Sequence, residues 1–80
     1  MEQMYKLLGA EFFANVKEEY KDGELVTIYY GFVATDTRYN FYVDGCAITT
    51  DYSHEKGFEL SFIMPAHDVT IKVETENTML

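Results

Sequence analysis

The chain has 80 residues, of which 14 are acidic and 6 are lysine or arginine, for a net charge of −8. One domain accounts for that length, and the acidic balance argues against nucleic acid and anionic membrane surfaces, both of which demand clustered cations. The single cysteine, Cys46, rules out an intramolecular disulfide, and two scattered histidines with one cysteine make no zinc framework.

A domain this small has a thin core, burying roughly 60–65% of its unfolded surface. With no staple available, side chains must hold it. Seven tyrosines and six phenylalanines suit that task, because each aromatic ring buries a large area. In chain order, Met4–Leu8 is a short apolar run ended by Gly9. Phe12, Phe13, Val16 and Tyr20 have helix-like spacing. The aromatics and Asn15 nevertheless favour a strand over Phe12–Tyr20. Lys21-Asp22-Gly23-Glu24 reads as a tight hairpin turn, with Asp-Gly supplying the positive φ. Leu25–Tyr30, LVTIYY, is β-branched and aromatic throughout. It is expected to be a central strand with both faces covered or nearly so.

Gly31 to Thr37 reads as a loop. Tyr39, Phe41 and Val43 alternate with Asn40 and Tyr42, the pattern of a half-buried strand. Asp44-Gly45 is a second hairpin turn, Cys46–Thr50 its return strand, and residues 51–57 a polar connection. Phe58, Leu60, Phe62 and Met64 then alternate with Glu59, Ser61 and Ile63. Val69, Ile71 and Val73 alternate with Thr70, Lys72 and Glu74. Proline fixes φ and lacks an N–H, so Pro65-Ala66-His67 ends the first of these ladders. Residues 75–80 are polar and expected to fray. Seven short strands with turns about every ten residues predict a single all-β domain over residues 1–80, a small antiparallel β-sandwich or β-roll.

The stretch Phe62-Ile63-Met64-Pro65-Ala66-His67-Asp68-Val69-Thr70-Ile71 resembles the ending of a widespread bacterial module. Its pattern is F-x-M-P-A-x-D-V-T-V, recurring in tandem in surface proteins, internalin B-repeat-like domains among them. Asp22-Gly23-Glu24-Leu25-Val26-Thr27-Ile28 is similar to that module's G-E-x-V-T-V hairpin. The resemblance implies a β-rich spacer or interaction domain, not an enzyme, and carries no catalytic residue over.

Individual candidate sites read as structure. His67 and Asp68 are taken as loop residues, and Cys46 as a small half-buried residue. Glu18, Glu19, Asp22 and Glu24 lack the spacing of a calcium loop and read as a solvated edge. No catalytic residue, metal site or cofactor is expected. The tyrosines stand apart, since alternation cannot bury all of them in so thin a core. Tyr42 should point outward, and Tyr29 and Tyr30 must face opposite ways. Tyr29, Tyr30, Arg38, Asn40 and Tyr42 are therefore the expected interaction surface, for a protein partner or a second copy of the chain. The alternative is a small-ligand or carbohydrate site using exposed tyrosines. No apolar run is long enough to span a bilayer, so membrane insertion is not expected. The N-terminus has no signal-peptide pattern. The expected location is cytoplasmic by default, or the cell surface if the chain is a module of a longer protein.

Overall fold

The computed structural model describes residues 3–78. It is all-β, with ten strands: β1 Met4–Tyr5, β2 Leu7–Leu8, β3 Phe13–Ala14, β4 Tyr20–Lys21, β5 Leu25–Tyr30, β6 Thr37–Val43, β7 Cys46–Ile48, β8 Asp51–Ser53, β9 Gly57–Ile63 and β10 Val69–Asn77. Two four-stranded sheets face each other, one ordered β2-β10-β6-β7 and the other β3-β5-β9-β8. A two-stranded pair, β1 with β4, completes the fold. All pairings are antiparallel except β2 with β10. The envelope is elongated, 53 × 25 × 19 Å.

The core lies between the sheets and follows strand alternation. Val26, Ile28 and Tyr30 on β5 stand opposite Phe62, Leu60 and Phe58 on β9. From the other sheet come Tyr39, Phe41 and Val43 on β6 and Val69, Ile71 and Val73 on β10. Tyr20, Val26, Ile28, Leu60, Met64 and Val69 are the largest fully buried side chains. Each contributes roughly 1.5–3 kcal/mol by leaving water. Tyr20 keeps its hydroxyl satisfied in the core, accepting a 2.8 Å hydrogen bond from the Lys17 N–H.

Several boundaries differ from expectation, each for a local reason. Phe12–Tyr20 is not one strand. Asn15 adopts φ 66° and its side-chain amide donates to the Thr27 carbonyl at 2.8 Å, so the chain breaks there into β3 and β4. The 4–8 run divides at Lys6. There Asp68 Oδ1 accepts the Lys6 N–H at 2.8 Å and the Lys6 carbonyl accepts the Val69 N–H at 2.9 Å. The connection at 51–57 contains β8, which pairs with the start of β9. Residues 75–77 do not fray. Thr75, Glu76 and Asn77 pair with Tyr39, Arg38 and Thr37, because β6 is long enough to template them; Met79 and Leu80 lie outside the described residues. β5 is central; Val26 and Ile28 on its inner face are buried, whereas on the outer face Thr27 and Tyr29 are half-buried and Leu25 is exposed. Cys46 is exposed, not half-buried.

The Met-Pro-Ala-His-Asp stretch proves to be the crossing between the two sheets. The Met64 N–H donates to the Glu24 carbonyl at 2.8 Å and the Met64 carbonyl accepts the Gly23 N–H at 2.8 Å, extending the β5–β9 ladder by one pair. Pro65 then stops that ladder, and the chain passes to the opposite sheet. Asp44, at φ 52° in the β6–β7 turn, receives it there. Its Oδ1 accepts the Thr70 N–H at 3.0 Å, its own N–H donates to the Thr70 carbonyl at 2.8 Å, and Oδ2 meets His67 Nε2 at 2.7 Å. These bonds hold the Asp44 carboxyl below its ordinary range, the Thr70 N–H having the larger effect and His67 the next. The stretch is thus a structural clamp.

Candidate interaction surface

The five residues expected to share a surface fall in three places. Arg38, Asn40 and Tyr42 alternate along β6 and share the outer face of their sheet with Glu76, Glu74 and Lys72. That face is laced by ion pairs. Lys72 Nζ lies 2.9 Å from Glu74 and Arg38 3.8 Å from Glu76. The Lys72 hydrogen bond, with a smaller one from Tyr42, lowers the Glu74 pKa and correspondingly raises that of Lys72. Tyr42 points outward as alternation requires, but it is half-buried among these neighbours. Tyr29 lies on the outer face of the other sheet, with the Lys56 ammonium 4.9 Å from its ring centre, a cation–π contact. Tyr30 faces inward. This follows from strand phase, since it shares the inner row of β5 with Val26 and Ile28, and it places Tyr30 opposite Tyr29, as alternation requires.

Most of the aromatic side chains form one connected network of rings at the end of the sandwich where β5 finishes and β6 and β9 begin. Tyr30 is its hub, with ring centres 5.2 Å from Phe13, 5.7 Å from Tyr39, 5.5 Å from Phe41 and 5.9 Å from Phe32. Phe58 continues it, 5.2 Å from Phe41 and 5.1 Å from Tyr52. Tyr30 meets Phe41 and Phe32, and Phe58 meets Tyr52, edge-to-face, while the other three pairs are tilted; an edge-to-face pair is worth about 0.5–1.5 kcal/mol beyond burial. Gly57 makes the arrangement possible. At φ +82°, its backbone passes so close to the Tyr30 carbonyl that a Cβ would lie 2.2 Å from that oxygen.

The network reaches solvent at Phe12 and Phe32, which are 68% and 63% exposed and meet edge-to-face at 5.8 Å. Val33, beside them in the loop, is exposed as well. The Tyr39 hydroxyl accepts the Ala34 N–H at 2.7 Å and the Asp36 carbonyl accepts the Thr78 N–H at 2.8 Å, so the loop bearing Phe32 is tied down. Sequence reasoning passed over Phe32 and Val33 because they sit in a turn-rich stretch. The available signal was two large apolar residues inside a loop that has no strand to bury them.

Two hollows flank the network. A groove of about 370 Å³ runs beside β10, lined by Phe12, Phe13, Tyr30, Ile71, Val73 and Thr75 among others. A shallow hollow of about 540 Å³ lies over Tyr29, between Ala14, Asn15, Glu55 and Lys56. Among the described residues no three of His, Cys, Asp and Glu gather where they would hold a metal ion. No helix is long and apolar enough to cross a membrane among them either. No protein-family model matches the chain, and no curated protein or solved structure is significantly similar to it.

Proposed function

We propose that this chain is a non-enzymatic interaction module that docks a protein partner through the aromatic end of its sandwich. The observation carrying this reading is the exposure of Phe12 and Phe32, two large rings at 68% and 63%, on a loop and turn fixed by their neighbours. Contiguous exposed apolar rings mark contact sites, and aromatic anchors dominate binding energy at protein interfaces. Here the rings are already positioned by Tyr30 and by each other, so docking loses little side-chain entropy. The resemblance of residues 62–71 to the bacterial repeat ending supports the same reading, since that module implies a spacer or interaction role. On this reading the domain works in the cytoplasm by default, or at the cell surface as one module of a longer protein.

A carbohydrate or small-ligand site is the alternative, and the hollow over Tyr29 is its best location. Sugar binding there needs a free ring face, and the Lys56 ammonium already occupies it. The test is a photoreactive phenylalanine analogue placed at position 32, with position 61 on the outer face of β9 as control. Cross-linking in the expressing cell should give a discrete adduct from position 32 and none from 61. An adduct at twice the chain mass would make the partner a second copy. No adduct, or the same pattern from both positions, would refute the proposal.

A further inference from the structure

The edge of β10 has an unusual profile, and its parity can be worked out bond by bond. The Thr70 N–H and carbonyl both bond to Asp44, on the β6 side. The Val69 N–H bonds to Lys6, on the opposite side. Successive residues of a strand direct their backbone groups to alternate sides. Lys72, Glu74 and Glu76 therefore bond towards β6, and the Thr78 N–H does the same through Asp36. Val73 and Thr75 turn their N–H and carbonyl groups the other way.

On that other side β2 pairs only with Val69 and Thr70. The chain then leaves the edge at Gly9. There φ is +78°, and a Cβ would stand 2.6 Å from the Ile71 carbonyl oxygen, so only glycine lets the backbone cross that oxygen and turn away. Among the described residues no strand lies on that side of β10 from Val73 onward, β6 being on the other. The groove of about 370 Å³ occupies that place, with Phe12, Phe13 and Tyr30 forming its inner wall.

We propose that the open edge of β10 at Val73 and Thr75, with Phe12, Phe13 and Tyr30 beside it, receives an extended partner segment as an added strand, apolar residues alternating with basic ones. This rests on the reading of the chain as an interaction module and names its surface and partner. Backbone pairing to Val73 and Thr75 supplies the attachment, as in other strand-addition modes. Alternation then sets the sequence of the guest. Its inward side chains meet the aromatic wall. Its outward side chains run beside Lys72, Glu74 and Glu76 on the outer row of β10, with Glu11 at the groove mouth. The ion pairs Lys72–Glu74 and Arg38–Glu76 leave that row close to neutral, so the charge that selects the guest is Glu11 at the groove mouth and the −8 of the whole chain. The charge favours a basic guest and opposes a second copy of the same acidic chain.

The test uses the whole chain and a fluorescent probe of about seven residues alternating lysine and valine, long enough to cover the edge at roughly 3.4 Å per residue. The control probe replaces each lysine with glutamate. The lysine probe should bind saturably, more weakly as salt rises, and the glutamate probe should bind at least about tenfold less tightly. Thr75→Pro removes one edge donor, at a position where an edge strand tolerates proline, and should weaken the lysine probe by about tenfold. Should that variant unfold by circular dichroism, backbone methylation of the probe replaces it. Methylating alternate amides should abolish binding in one phase and spare it in the other. Equal binding of both probes, no saturable binding, or indifference to T75P and to both methylation phases overturns the proposal. So does concentration-dependent dimerisation of the chain that T75P abolishes, since a second copy would then hold the edge. If position 32 cross-links a partner in cells while the lysine probe fails, this inference falls and the interaction-module reading stands.

Discussion

Gly57→Ala should be far more damaging than Gly45→Ala, though both glycines occupy the left-handed region, at φ +82° and +81°. Placing alanine in that region costs about 1–2 kcal/mol through the contact of Cβ with its own backbone. At Gly45 a new Cβ meets nothing within 4 Å, so that strain is the whole effect. At Gly57 the Cβ would lie 2.2 Å from the Tyr30 carbonyl oxygen and 3.0 Å from Gly31 Cα, both main-chain atoms. No side chain can rotate away. Relief requires the start of β9 to move off β5 by about an ångström, weakening the pairs Tyr30–Phe58 and Ser53–Gly57. Two strained backbone hydrogen bonds add about 1–3 kcal/mol. The total for Gly57→Ala is about 2–5 kcal/mol, against about 1–2 for Gly45→Ala. A domain of this length has only about 4–12 kcal/mol in all. Urea denaturation followed by circular dichroism measures both variants. Equal midpoints would refute the close approach of β9 to the end of β5, and with it the placement of the aromatic hub.

Other outcomes follow from the same geometry. Leu60→Ala, at a side chain with no exposure, should lower stability by about 2–5 kcal/mol in the same assay. Asp44→Asn keeps a residue that tolerates left-handed φ but loses the charge accepting from Thr70 and His67. Because the site is largely solvated, the loss at neutral pH should be about 1 kcal/mol or less. The sign with pH is fixed by the depressed Asp44 pKa. Its contribution is present above the ordinary carboxylate range and is lost as acid protonates the depressed carboxylate, so wild type and variant melting temperatures should converge as the pH falls below the ordinary carboxylate range. Phe12→Ser with Phe32→Ser should lower stability by only about 1–3 kcal/mol, the worth of the two ring pairs lost, leaving the chain folded by circular dichroism yet removing the partner adduct, now read from a photoreactive analogue at Val33.

The sandwich was legible in the sequence because period-two alternation is strong where one face is buried. Val26 and Ile28, Phe58 to Phe62, and Val69 to Val73 took the faces that their spacing required. What escaped was decided by single polar contacts between distant residues. The Asn15 amide reaching Thr27 and the Asp68 carboxylate reaching Lys6 break strands that composition alone leaves whole. Asp44-Gly45 forms the hairpin turn its residues announce, whereas Asp22-Gly23 forms a turn but no hairpin, since β4 pairs with β1 and β5 with β3 and β9, and the crossing at Pro65 was not visible as one. Alternation tells which residues face inward and not which sheet they belong to, so β9 and β10 emerged on opposite sheets. The candidate surface was only half readable for the same reason. Residue type singled out the aromatics, and Tyr30 is indeed their hub. The exposed members, Phe12 and Phe32, owe their position to tertiary contacts around a loop.

Backbone amide exchange, residue by residue, tests the central claim about this end of the fold most directly. An open edge in β10 predicts a two-residue rhythm. The Lys72 and Glu74 amides, bonded towards β6, should exchange slowly, while those of Val73 and Thr75 should exchange close to the rate of unpaired backbone. Adding the alternating lysine–valine probe should slow Val73 and Thr75 and leave Lys72 and Glu74 unchanged. Equal protection at all four positions in the free chain would contradict the account, because the edge would then already be covered.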